Sequence, residues 1–356
     1  MRDFARAAVA GIGMTALTRR SGRTELALAL EACRAACADA GIAPAEVDGI
    51  LSYHLGDSAL AVQVARALGI AELGWHDDVW GGGTQAASLL GEAAMLVCGG
   101  LARNVLVYRA LNGRSGRRMT TLSTGPQELF TLPYGMAGPL PLFALAATRY
   151  LHDTGLTEEH LHAVVAQSRD NARANPRAVR RDPLSLEEYL AKPYVCTPLR
   201  TADCCQETDG ACALLVSGVL DGPRVRAVVR GGGPGCSTMD VAPDVSAIFS
   251  AYVAPRLWEA SGARPADVDA ALLYDAYSWL VPRQLTDFGL TDDPGGYLLE
   301  RRHAWVNPHG GLLSEGYVHG LNNVAQAVRE LRAGRGLALV TGFGGSYGSA
   351  ALLEMS

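Results

Sequence analysis

Residues 272–278 read Leu-Leu-Tyr-Asp-Ala-Tyr-Ser, and residues 307–323 read Asn-Pro-His-Gly-Gly-Leu-Leu-Ser-Glu-Gly-Tyr-Val-His-Gly-Leu-Asn-Asn. The first is an apolar run that ends by releasing polar side chains, as a buried strand does where it leaves its sheet. Open α/β sheets gather their chemistry at that carboxyl edge. The second is a loop punctuated by glycines, which let backbone turn tightly or come close to a ligand. A helix is predicted from Gly320 onward. Together the two pieces offer Tyr274, Asp275, Tyr277, Tyr317, His319 and Asn322 to one candidate pocket.

The sequence just before the first piece occurs twice. Gly41–Tyr53 (Gly-Ile-Ala-Pro-Ala-Glu-Val-Asp-Gly-Ile-Leu-Ser-Tyr) parallels Gly262–Tyr274 (Gly-Ala-Arg-Pro-Ala-Asp-Val-Asp-Ala-Ala-Leu-Leu-Tyr). Gly83 through Arg109 likewise parallels Gly320 through Gly342 as helix, turn, then strand. Self-similarity of this kind marks a repeated structural unit, so the chain reads as two duplicated α/β halves. The first covers 1–109 and is completed by a strand over 209–217, and the second covers 222–356. Between them, 110–208 mixes Gly, Arg and Pro clusters with helical segments and reads as an inserted loop domain. In the second half a helix is expected over 243–261, with Pro243 in its first turn, where a missing N–H does no harm. A strand is expected over 268–274 and a helix over 278–288.

At 356 residues and 49% hydrophobic, the chain can bury a large core. A net charge of −5 gives no basic face for nucleic acid, and no run is long and apolar enough to span a membrane. The N-terminal run Ala7–Leu17 is broken by Gly11 and Gly13 and reads as a first strand, not a signal peptide. The eight cysteines show no metal-ligand spacing, so no metal is expected, and they suit a reduced, cytoplasmic enzyme. Lys192 is the single lysine and stands before Pro193 in a loop context. Schiff-base aldolases need an activated lysine, which this chain does not offer.

The motifs carry a resemblance to the thiolase superfamily, in particular to its sterol-carrier-protein (lipid-transfer-protein) group. Tyr274-Asp275-Ala276-Tyr277 stands where that group shows His-Asp-Cys-Phe or Asn-Glu-Ala-Phe. Asn307, Gly310 and Gly311 match its Asn-x-x-Gly-Gly, and Gly316-Tyr317-Val318-His319-Gly320 stands at its Gly-His-Pro-x-Gly. With tyrosine at both catalytic places, the pattern most resembles the thiolase-like steroid side-chain aldolases of actinobacteria. The resemblance implies a five-layer αβαβα thiolase fold. It places the two thiolase cysteines at Trp80 and Gly342, so both reactive thiols are missing. Covalent acyl transfer needs such a nucleophile; thioester-enolate chemistry does not.

What the resemblance implies is a retro-aldol carbon–carbon lyase acting on a β-hydroxyacyl-CoA. The thioester would be a substrate, with no tightly bound cofactor. Tyr274 and Tyr317 would move the protons, and His319 would orient or deprotonate a tyrosine or cap the helix. Asp275, Asn307 and Asn322 would support the loops. Backbone N–H groups of Gly81, Gly82 and Gly83, with those of Gly344 and Gly345, would face the enolate oxygen; tight turns alone also explain these glycines. The resemblance further implies a homodimer and a small OB-fold (zinc-ribbon) partner protein. Two other readings stay open: an acyltransferase or condensing enzyme whose thiol lies elsewhere, and a non-catalytic acyl-CoA- or lipid-binding subunit. Cys98 reads as core, and Cys204 and Cys205 as cleft-edge residues. His303, His152, His160 and His162 read as surface. Arg114, Arg117 and Arg118 read more readily as a solvated charge run than as a grip on coenzyme A phosphates.

Overall fold

The helix Gln85–Cys98 is buried on almost every side, from Gln85, Ala86 and Ala87 through Leu96 and Val97. A helix apolar all round needs cover on both faces, and the fold lays a sheet on each. The computed structural model describes residues 4, 6–116, 128–233, 239 and 242–355. Its strands are β1 (Ala8–Met14), β2 (Gly49–His54), β3 (Trp75–Trp80), β4 (Asn104–Asn112), β5 (Tyr194–Cys196), β6 (Leu199–Arg200), β7 (Asp209–Ser217), β8 (Arg224–Gly232), β9 (Ala270–Leu272), β10 (Leu337–Phe343) and β11 (Tyr347–Glu354). Its helices are α1 (Glu25–Asp39), α2 (Ala61–Leu68), α3 (Gln85–Cys98), α4 (Glu128–Thr131), α5 (Leu140–Thr154), α6 (Glu158–Ala172), α7 (Leu186–Leu190), α8 (Ser250–Ser261), α9 (Leu280–Asp287), α10 (Pro294–Leu299), α11 (Gly311–Ser314) and α12 (Leu321–Arg332).

Hydrogen bonding orders nine strands as β3-β2-β4-β7-β1-β8-β11-β10-β9. β1 and β8 meet through one residue pair, Ala8 with Arg224, so five strands and four strands join at a narrow seam. The duplication shows in the pairing. β1–β7 and β7–β4 are antiparallel and β4–β2 parallel; β8–β11 and β11–β10 are antiparallel and β10–β9 parallel. A short 3₁₀ turn precedes β2 (Pro44–Glu46) and another precedes β9 (Pro265–Asp267), as the repeated Pro-Ala-acid sequence predicts. α3 and α12 lie between the two sheets, α1 and α2 cover the outer face of the first, and α8 that of the second. This is the five-layer arrangement expected from sequence.

Two expected elements are shorter than the sequence suggested. The helix expected over 243–261 starts at Ser250 and carries Pro255 inside it, so Pro243 is not in its first turn. Phe249 N–H donates to the Gly345 carbonyl, which pins the chain onto the glycine loop before the helix can begin. The strand expected over 268–274 pairs only over Ala270–Leu272. Beyond it, Asn307 N–H takes the Ala271 carbonyl and side chains take over the main-chain partners.

α6 and the turn after it connect the intervening segment to the site: Ser168 Oγ, Asn171 Nδ2 and Asn175 Nδ2 donate to the carbonyls of Gly310, Asn307 and His309. Among the described residues, no helix is long and apolar enough to cross a membrane.

Candidate active site

Where β9 ends, side-chain hydrogen bonds replace the ladder. Tyr274 N–H donates to Thr341 Oγ1 at 2.8 Å, and Gln284 Nε2 donates to the Tyr274 carbonyl at 2.9 Å. Thr341 Oγ1 in turn donates to Gln284 Oε1 at 2.6 Å. This closed set aims the Tyr274 ring between the sheets. Tyr317 arrives on the loop between α11 and α12, strapped by Thr208, whose hydroxyl accepts from Tyr317 N–H and donates to its carbonyl. The two rings meet edge to face at 79°, and their hydroxyl oxygens are 2.6 Å apart. His319 follows with φ 48°, its carbonyl held by Tyr53 Oη at 3.0 Å and its ring centroid 4.9 Å from that of Tyr317. The three expected chemical residues therefore come together, all from the second half, with Tyr53 and Gly83 of the first half packed against them.

Burial sets their electrostatics. Tyr274 and Tyr317 are 2% and 5% exposed. Desolvation raises both phenols well above the usual tyrosine value, so both are neutral at physiological pH. Desolvation first, then the Arg109 guanidinium, lowers His319 to about 3, against an opposing pull from Asp57. The imidazole is neutral too. Burial pushes Asp57 up, but the Arg109 guanidinium and the hydrogen bonds from Arg109 and Leu55 N–H outweigh it, and its carboxyl lies below the usual value.

Asp275 supports a loop. Its Oδ1 accepts from Leu312 N–H at 2.8 Å, capping α11, and burial raises it to about 7 despite that bond. Asn307, at φ 47°, donates Nδ2 to the Leu273 carbonyl, and Asn322 donates Nδ2 to Glu315 Oε2 and the Gly316 carbonyl. The glycines divide. Gly81 N–H donates to the His54 carbonyl and Gly344 N–H to the Tyr347 carbonyl, so these two expected oxyanion donors are already committed. Gly82, Gly83 and Gly345 have no backbone acceptor among the described residues. Gly83 has a separate reason to be glycine: a Cβ there would lie 2.1 Å from Tyr274 Oη.

The thiolase cysteine places offer no thiol. Trp80 is 64% exposed, and a Cβ at Gly342 would come within 2.6 Å of the Gly83 carbonyl oxygen, leaving no room for a side chain. Burial raises the Cys204 thiol to about 12 and the Cys205 thiol well above its usual value, and such thiols are poor nucleophiles. His303 is a correction: it is 3% exposed, not at the surface. Arg114 pairs with Glu207; Arg117 and Arg118 lie outside the described residues. Sequence reading missed Arg109 and Asp57. Arg109 stands in β4 with no exposure, and a cation inside an apolar strand is itself a signal, because burial requires partners. A cleft of about 620 Å³ lined by Tyr150, Arg283, Asp287 and Asp293 shares no lining residue with the tyrosine pair.

Fold and site thus define a thiolase-fold protein that brings two phenols and an imidazole together where its two halves meet. No family model matches the chain. It is 36% identical over 92% of its length, and 91% of the relative's, to the 17-hydroxy-3-oxo-4-pregnene-20-carboxyl-CoA lyase of Mycobacterium tuberculosis. It is also 36% identical, over 92% and 90%, to a steroid side-chain-cleaving aldolase of Thermomonospora curvata. The solved Ltp2–ChsH2(DUF35) aldolase superposes with a TM-score of 0.91 at 34% identity, over 98% of this chain and 97% of that one. An acetyl-CoA acetyltransferase from Syntrophomonas wolfei superposes at 0.75 with 18% identity, over 98% and 99%, and shows the shared fold alone. The chain belongs to the steroid side-chain-cleaving aldolases of the thiolase-like superfamily. It is an enzyme, a carbon–carbon lyase of the retro-aldol type.

Proposed function

We propose that this chain cleaves a β-hydroxyacyl-CoA carrying a steroid or similar polycyclic skeleton, with Tyr274 and Tyr317 as the proton relay. The observation that carries this reading is the 2.6 Å contact between two buried hydroxyls. Neither phenol need ionise. In one concerted relay the substrate hydroxyl gives its proton to one tyrosine, that tyrosine passes its own to the second, and the second gives its own to the α-carbon. The bond between the carbinol carbon and the α-carbon breaks, and the carbinol becomes a ketone. The electron pair moves into the thioester enolate, and the second tyrosine protonates its α-carbon. One proton has moved from substrate oxygen to substrate carbon, and both phenols end as they began. The N–H groups of Gly82, Gly83 and Gly345, which have no backbone acceptor among the described residues, would serve the enolate oxygen, where fixed donors stabilise developing charge.

A homodimer joined through β3 fits this reading. β3 is an edge strand with Trp75 and Trp80 exposed at its two ends, and an open strand edge invites pairing. The aldolase neighbour is a complex with a DUF35 protein; we assign this chain a small OB-fold partner that helps hold the acyl-CoA. The free cysteines suit a reducing compartment, so we place the enzyme in the cytoplasm.

The test is incubation of the purified enzyme and partner with a β-hydroxyacyl-CoA. Ketone and short acyl-CoA should form one to one, and iodoacetamide should not stop them. Thiol-dependent acyl exchange without cleavage would contradict the reading.

A further inference from the structure

The end of the intervening segment, residues 203–208, runs between the two loops that carry the phenols. At its start it holds the loop after Tyr274. Ser278 N–H donates to the Asp203 carbonyl at 3.0 Å, Ser278 Oγ donates to Asp203 Oδ1 at 2.6 Å, and Cys205 N–H donates to the Ala276 carbonyl at 2.8 Å. Toward its end it holds the other loop. Gln206 N–H donates to the Leu312 carbonyl at 2.9 Å, and Thr208 Oγ1 accepts from Tyr317 N–H at 3.0 Å while donating to the Tyr317 carbonyl at 3.2 Å. A hydroxyl has one hydrogen to give, and that of Thr208 goes to the Tyr317 main chain.

The segment is itself anchored. Asp203 has no exposure, and a buried carboxylate needs donors around it. Besides Ser278, it accepts from Tyr189 Oη of α7 at 2.9 Å and from Arg200 N–H at 2.8 Å. Asp275 already holds α11, at Leu312 and Leu313; Thr208 acts at Tyr317 itself. Gly316 permits the approach. Its φ is 144°, and a Cβ there would lie 3.2 Å from both Cγ2 and Oγ1 of Thr208.

We propose that residues 203–208 are a strap that sets the spacing of the two phenols, and that Thr208 is a positioning residue for the reaction, acting on Tyr317 through its main chain and not on the substrate. The proposal rests on the functional reading above and deepens it, because it gives the intervening segment a part in aligning the relay. A proton passes between two oxygens only at hydrogen-bond distance. The Tyr317 hydroxyl stands at the far end of its side chain, so a small rotation of the peptide that Thr208 clamps swings the hydroxyl further than it moves the backbone.

Thr208→Val keeps the shape and removes the hydroxyl. A shift of about 1 Å at a reacting centre costs about 10²-fold, so this smaller disturbance should lower kcat at least about 10-fold, with KM changing less than about threefold. Thr208→Ser restores the hydroxyl and should stay within about threefold of wild type. Equal loss in both variants, or loss in neither, overturns the proposal. A cycle separates alignment from general stability. In Tyr317→Phe no hydroxyl remains to align, so adding Thr208→Val should cost less than about threefold further, whereas a merely structural role would cost about 10-fold in either background. Should Thr208→Val not fold, Thr208→Ala removes the same hydroxyl with less bulk and is read by the same rules. Proton NMR on the enzyme with its partner and without substrate reads the pair itself. A short buried O–H···O hydrogen bond gives a signal downfield of the amides, assigned by its loss in Tyr274→Phe and Tyr317→Phe. It should shift upfield or vanish in Thr208→Val and persist in Thr208→Ser. A wild-type signal in Thr208→Val, or no such signal in wild type, would remove the strap from the account. If wild-type enzyme cleaves no β-hydroxyacyl-CoA, the functional reading fails, while this signal, which needs no substrate, judges the strap separately.

Discussion

Gly83→Ala isolates the geometry of the tyrosine pair. A Cβ there would stand 2.1 Å from Tyr274 Oη, 2.2 Å from Cζ and 2.5 Å from Cε2, where ordinary contact begins near 3.4 Å. Gly83 is not among the positive-φ residues, so alanine costs nothing in backbone strain and the whole effect is collision. The phenol would have to retreat by about 1 Å or more, a displacement that costs about 10²-fold in rate at a reacting centre. It has little room. Gly320 presses on the ring, where a Cβ would come within 2.9 Å of Cδ2, and Phe343 packs 6.0 Å away between centroids. We therefore expect kcat to fall about 10²-fold, KM to change much less, and stability to drop by about 1–3 kcal/mol from overpacking. Steady-state kinetics on a β-hydroxyacyl-CoA and urea unfolding read both. With Tyr274→Phe already present no hydroxyl remains to displace, so adding Gly83→Ala should cost little further rate. A Gly83→Ala enzyme with kcat within threefold of wild type and unaltered stability would refute the packing argument and the need for an aligned pair.

Three further outcomes follow from the same structure. Cys98→Ser, Cys204→Ser and Cys205→Ser should each leave turnover within a few fold; complete loss in any folded variant would revive the acyltransferase reading. Trp75→Glu on the edge strand should shift light scattering from dimer toward monomer, and an unchanged mass would move the dimer contact elsewhere. Desolvation lowers buried His303 to about 4, so between pH 6.5 and 4 the unfolded chain binds more protons and this residue's effect on stability worsens as pH falls. His303→Leu should thus help more at pH 5 than at pH 7, by on the order of 2 kcal/mol; urea unfolding showing equal effects at both pH values would contradict it.

The duplicated Pro-Ala-acid turn and following apolar run made the two halves legible, because each copy faces the same packing demand between a sheet and a buried helix. Tyr274 and Tyr317 were legible because each stands in a local motif. Arg109 was not. Its strand runs to Asn112, well past the β-branched stretch at 104–108, and its partners lie 52 and 210 residues away. No local periodicity records such a pairing. His303 was misread as surface because a polar residue in a glycine- and arginine-rich neighbourhood has the composition of a loop, and only tertiary packing buries it. The glycines showed that backbone comes close there; which N–H groups are already spent depends on His54 and Tyr347.

The most direct measurement of the central claim is kcat for Tyr274→Phe, Tyr317→Phe and the double variant on a β-hydroxyacyl-CoA. Phenylalanine keeps the rings and removes only the hydroxyls that stand 2.6 Å apart. A proton-transfer group contributes about 10²–10⁴-fold, so each single variant should lose at least about 10²-fold in kcat with KM changing much less. The double should be scarcely worse than the poorer single, because members of one relay are not additive. Near wild-type turnover by both single variants would make the tyrosines packing residues and contradict the account.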